Sequence, residues 1–119
     1  MTTRERPWLP LDVVEAAIPA MVALGVSAVA RSPRGFLTAY RRAAGDPRRL
    51  GVTPRSTPHR APYPWRQRRN EFVGRHMAQI AVRGEPLWVD GEPTRRHLAL
   101  VAWAYSPTPA KLLRWLEQR

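Results

Sequence analysis

Apolar residues recur at helical rather than strand spacing along most of this chain. Leu11, Val14, Ile18 and Met21 form one stripe, predicting a helix from about Leu11 to Leu24 that Gly25 closes. Pro19 is expected to kink it, because its ring meets the carbonyl of Glu15 one turn back. Val26 to Arg31 follows as a short turn or an extended link. A second helix is expected from Ser32-Pro33 to Gly45, with Phe36, Leu37, Tyr40 and Ala44 on one face and Arg34, Thr38, Arg41 and Arg42 on the other. Asp46-Pro47 opens a further short turn through Arg49.

The next stretch, 51–64, holds Pro54, Pro58, Pro62 and Pro64 and can propagate neither helix nor sheet; it reads as an extended basic loop. A third helix spans about Trp65 to Arg83 and stops at Gly84. Trp65, Phe72, Val73, His76 and Ile80 share one side, and Arg69 falls in the middle of it. Around Asp90-Gly91 a tiny hairpin could close after Leu87-Trp88-Val89, limited by Pro93. Thr94 caps a fourth helix running to about Tyr105, apolar all round from Leu98 and therefore central. Thr108-Pro109 opens a fifth, which turns Leu112, Leu113 and Leu116 inward. The expected fold is an all-α, compact single domain over 1–119 with about five helices, in which the first, fourth and fifth form the scaffold.

Charge sharpens this picture. Between Arg31 and Arg83 thirteen arginines stand against only Asp46 and Glu71, so this segment carries the whole formal net charge of +11. The flanks nearly cancel. Lys111 is the only lysine; a GC-rich genome accounts for arginine over lysine, but not for the exclusion of acids from 31–83. A localised positive field is the footprint of a polyanion binder. The first reading is therefore a non-catalytic protein that grips the phosphate backbone of DNA or RNA. Arg34 and Arg41, seven apart, would form one row on the second helix and Arg68 and Arg75 another on the third, assisted by Arg42, Arg66 and, on the loop, Arg55 and Arg60. Among the five tryptophans, Trp65 and Trp88, with Tyr63, are the expected base-stacking platforms. Trp103 is expected in the core, and Trp8 and Trp115 as packing anchors.

Other chemistries find less material. Cysteine is absent, and His59, His76 and His97 are too far apart for a metal motif, so neither metal nor cofactor is expected. Ala28-Val29-Ala30 imitates a signal-peptidase site, but Asp12 and Glu15 occupy the place of a positive region, and the apolar run is too short to span a membrane. A cytoplasmic protein without membrane contact is the simplest expectation. Arg95-Arg96 oppose the dipole at the start of the fourth helix, which points to an anionic partner or to pairing with Glu92.

Two short resemblances remain. Residues 20–27 look like the turn of helix-turn-helix repressors, but Ser32-Pro33-Arg34-Gly35 breaks the stretch where a recognition helix should continue. Arg69, Asn70 and His76 resemble the Arg-(four to six residues)-His motif of the HEPN ribonucleases, small all-α proteins. That resemblance implies metal-independent RNA cleavage, with Arg69 neutralising the phosphate, His76 moving the proton, and a homodimer completing the site. A third function class is a basic adaptor docking on an acidic protein partner.

Overall fold

The computed structural model describes residues 4–54 and 62–119. In chain order the elements are α1 (Leu11–Leu24), α2 (Ala28–Arg31), α3 (Phe36–Arg42), a 3₁₀ turn (Pro47–Arg49), α4 (Trp65–Arg83), β1 (Trp88–Val89), β2 (Glu92–Pro93), α5 (Arg95–Val101) and α6 (Pro109–Glu117). Among the described residues the fold is mostly helical, with one two-stranded antiparallel ribbon. No helix among the described residues is long and apolar enough to cross a membrane.

α1 and α4 have the bounds that the sequence predicts, because both end on a left-handed glycine. Gly25 has φ 66° and Gly84 φ 64°. The hairpin also forms: Asp90 (φ 53°) and Gly91 (φ 78°) both take positive φ, as a tight two-residue hairpin turn requires. Thr94 caps α5 by accepting the His97 N–H, and Asp46 accepts the Arg48 N–H at the 3₁₀ turn.

Three boundaries differ from expectation. The second predicted helix begins at Phe36 rather than at Ser32-Pro33. The Ser32 hydroxyl donates back to the Val29 carbonyl (2.7 Å), and Gly35 is the N-cap instead. A Cβ on Gly35 would lie 2.1 Å from the Val29 oxygen, so only glycine lets α3 fold against α2 here. That helix also ends at Arg42. Ala44 (φ 54°) and Gly45 (φ 73°) turn the chain, leaving Ala44 exposed and Ala43 buried. Finally, α5 stops at Val101 rather than near Tyr105, because Ala104 takes φ 59° and the Tyr105 N–H returns to the Leu100 carbonyl (3.2 Å).

The main core gathers Val14, Ala17 and Met21 from α1, Phe36, Leu37 and Tyr40 from α3, Leu98 and Val101 from α5, and Leu112 from α6. A smaller cluster of Val73, Ile80, Leu100 and Tyr105 lies under α4. On α6 only Leu112 is fully buried; Leu113 is 43% exposed, since its neighbour already occupies the inward direction, and Trp115 packs in its place. α1 packs on α5 and α6, while α3 packs on α2 and α4. The acid-poor elements α2, α3 and α4 are thus neighbours in space. The ends of the 51–64 loop are joined: Thr53 N–H donates to the Tyr63 carbonyl (2.7 Å), and Trp65 N–H to that of Gly51 (3.0 Å). Residues 55–61, with the expected contacts Arg55 and Arg60, lie outside the described residues.

Candidate nucleic-acid interface

A cleft of about 860 Å³ opens between the α2–α3 corner and the first half of α4. Arg34, Arg68 and Arg75 line it, together with Phe36, Trp65 and Trp103. The burial gradient gives it depth. Phe36 and Trp65 are buried and Trp103 half-buried, whereas Arg34 and Arg75 are exposed and Arg68 half-buried. The cleft therefore has an aromatic floor beneath a guanidinium rim. Thr53, Pro54, Pro62 and Tyr63, at the two joined ends of the loop, complete one wall. A second recess of about 360 Å³ shares Arg34, Gly35, Pro54 and Trp65 with it and adds Arg42 and Arg49. The two recesses adjoin along these shared residues.

The floor is part of a longer stack. Tyr40 stacks on Phe36 (5.5 Å between centroids), Phe36 on Trp103 (4.9 Å), Trp103 on Phe72 (4.4 Å) and Phe72 on His76 (4.0 Å). Trp103 is expected in the core, but the early end of α5 places it in the turn, where it reaches the cleft. The sequence gives no sign of this, because an alanine at positive φ carries no local signal.

The structure divides the expected arginines. The α4 pair is brought together as predicted, since Arg68 and Arg75 lie two turns apart on the same face and both line the cleft. The α3 row does not form, because Arg34 precedes the helix. Arg34 joins the cleft, while Arg41 pairs bidentately with Glu15 of α1, one of the bonds measuring 2.9 Å. Arg66 pairs with Glu5 (3.0 Å), which also accepts from the Trp8 indole (2.7 Å). The bonds from Arg66 and Arg41 hold the Glu5 and Glu15 carboxyls below their usual pKa against the opposing effect of burial. Arg42 lines the second recess, Tyr63 the wall and Trp65 the floor. Trp88 packs instead: its indole donates to the Thr108 hydroxyl (3.0 Å) and its ring lies edge-on to His97 and Trp115.

Arg69 has a different role from its neighbours. Its side chain is 0% exposed and all five of its N–H groups are used. They donate to the carbonyls of Trp103 (2.9 Å), Arg6 (2.7 Å), Pro7 (2.5 Å) and Ala104 (2.8 Å) and to Asn70 Oδ1 (2.7 Å). The guanidinium lies 3.8 Å from the centre of the Trp8 ring. Desolvation lowers its pKa to about 10, so it keeps its charge at neutral pH. Arg69 thereby ties α4 to the N-terminal segment and to the α5–α6 turn.

His76 stands apart from it, accepting at Nδ1 from Arg96 (2.8 Å). Its pKa is pushed down by desolvation and then by Arg96 and Arg75. The residues expected to cleave RNA are thus a saturated guanidinium, the amide of Asn70 bonded to it, and an imidazole held by a different arginine. Arg96 pairs with Glu85 through two bonds of 2.9 Å rather than with Glu92, and Arg95 donates to the Leu24 carbonyl at the end of α1. These bonds answer the dipole conflict that the sequence raises. Among the described residues no group of three or more His, Cys, Asp or Glu side chains is placed to hold a metal ion.

A buried His–Ser pair was not foreseen. His97 Nδ1 faces the Leu87 carbonyl (3.2 Å) and must donate; Nε2 then accepts from the Ser106 hydroxyl (2.8 Å), whose oxygen in turn accepts the Thr108 N–H (3.1 Å). Burial pushes the His97 pKa below its ordinary 6.5. The unfolded chain then binds a proton more readily than the folded one, so stability from this group is complete above about pH 6.5 and is lost as pH falls. Thermal unfolding should show Tm falling from about pH 6.5 to 5, before the carboxylates titrate. A Tm flat across that window would contradict the neutral, bonded His97.

No family model matches this chain, and neither a curated protein nor a solved structure matches it.

Proposed function

We propose that this protein binds nucleic acid without catalysis, and that the cleft takes an unpaired strand. The observation that carries the reading is the convergence of Arg34, Arg68 and Arg75 over the Phe36–Trp65–Trp103 floor. Unpaired bases can pack against the accessible edges of the half-buried Trp103 and Tyr63 while phosphates pair with arginine, and a single strand offers both at once. A duplex is a convex rod whose bases are already stacked; it would bridge the rim without using the floor. An acidic protein would meet the same arginines but has no need of the rings. The ribonuclease alternative lacks an arginine with a free N–H at the required place, since Arg69 has none left.

Fluorescence anisotropy with a labelled single strand and the matching duplex tests the reading. The single strand should bind at least about tenfold more tightly at equal salt. Equal or tighter duplex binding would overturn the single-strand assignment, and no binding of either at low salt would overturn the function.

A further inference from the structure

Glu71 is the one acid among the described residues that line the cleft, whose other charged lining residues are Arg34, Arg68 and Arg75. It lies on α4 between Arg68, one turn before it, and Arg75, one turn after, so all three present the same face to the cleft. Neither arginine forms an ion pair with it among the described residues. One carboxylate oxygen is occupied: Oε2 accepts from the Tyr63 hydroxyl (2.5 Å) and from Gln67 Nε2 (3.4 Å). Oε1 has no hydrogen bond among the described residues. A site built for phosphate alone gains nothing from a carboxylate, which repels the ligand.

The cleft therefore offers acceptors beside donors, above an apolar aromatic floor. Guanine is the base that matches. Its N1–H and exocyclic N2–H are adjacent donors suited to a carboxylate, and O6 and N7 on the neighbouring edge are acceptors suited to arginine. Adenine and cytosine set a single amino group beside a ring acceptor. Thymine and uracil flank their one N–H with two carbonyls, which a carboxylate repels.

We infer that the cleft selects guanine, Glu71 accepting its N1–H and N2–H while Arg68 or Arg75 donates to O6 and N7. This rests on the single-strand reading. The bond from Tyr63 fixes the carboxylate's orientation and ties base reading to the loop end.

The test is anisotropy with a short oligothymidylate and the same strand carrying one central guanine or one inosine, which lacks the N2 amino group. The wild type should favour guanine over thymine by about tenfold, with inosine between. Glu71→Gln keeps an acceptor for Tyr63 but loses the charge. It should bind oligothymidylate more tightly and guanine less tightly, bringing the ratio to within about twofold. A Glu71 that merely pins Tyr63 would move both affinities in the same direction and leave the ratio intact, which would overturn the inference. Wild-type binding without base preference would also overturn it, leaving the single-strand reading in place. No binding of any strand would remove that reading itself.

Discussion

Replacing Arg69 with methionine should cost the fold on the order of 4 kcal/mol, a large share of the roughly 5–15 kcal/mol available to a domain of this size. The size follows from what the side chain satisfies. Four backbone carbonyls and one amide oxygen, drawn from the N-terminal segment, α4 and the α5–α6 turn, converge on one guanidinium. An unsatisfied buried acceptor costs about 1–3 kcal/mol. Some relief is available, since the Ala104 carbonyl also accepts the Leu9 N–H (2.8 Å) and Asn70 Oδ1 the Arg6 N–H (3.3 Å). Methionine recovers the packing against Trp8 but none of the bonds. Lysine keeps the charge but has three donors on one nitrogen where five in a planar fork are needed, so Arg69→Lys should recover less than half of the loss. Urea unfolding of the three proteins measures this. A methionine variant within about 1 kcal/mol of wild type would contradict the role of Arg69 as a tie.

The second large effect concerns binding. Arg68→Gln and Arg75→Gln together should weaken single-strand affinity on the order of a hundredfold, about tenfold for each charged hydrogen bond lost. Both residues line the cleft, and neither forms an ion pair among the described residues. Arg41 and Arg66 carry the same formal charge, yet each is bonded to a carboxylate. Their removal should change affinity by no more than about threefold, since neither lines the cleft or the second recess and the lost charge is screened by solvent. Position, and not the count of arginines, should decide which substitutions matter.

That distinction marks how far the sequence could be read. The bounds of α1 and α4 were legible because a proline or a cap glycine punctuates each, and the i, i+7 spacing of Arg68 and Arg75 survives because α4 is regular between them. The concentration of charge between Arg31 and Arg83 was visible from composition alone. Where the structure departs, the cause is tertiary. Arg41 finds Glu15 across 26 residues and Arg66 finds Glu5 across 61, and no local pattern records either pairing. Arg34 leaves its expected row because Gly35 starts the helix late, a choice made by the close approach to Val29. Trp103 enters the cleft because Ala104 ends α5 early. Arg69 was conspicuous on the apolar side of its helix, yet its partners are mostly backbone carbonyls, which every residue carries and no sequence pattern marks. The sequence therefore indicated a polyanion partner, whereas the cleft, its floor and its single acid emerge only from the fold.

The most direct measurement of the central claim is the salt dependence of single-strand binding in wild type, in Arg68→Gln/Arg75→Gln and in Arg41→Gln/Arg66→Gln. If four arginines of the two recesses, Arg34, Arg42, Arg68 and Arg75, each meet a phosphate while Arg49 stays paired with Asp46, the slope of log K against log salt should be about −2.8, a loss of about fiftyfold between 50 and 200 mM. The cleft variant should reduce that slope by about 1.4, and the ion-pair variant should leave it within about 0.3. Equal reductions in the two variants would contradict the account, because the charge would then be acting as a diffuse field and the cleft would have no special part in binding.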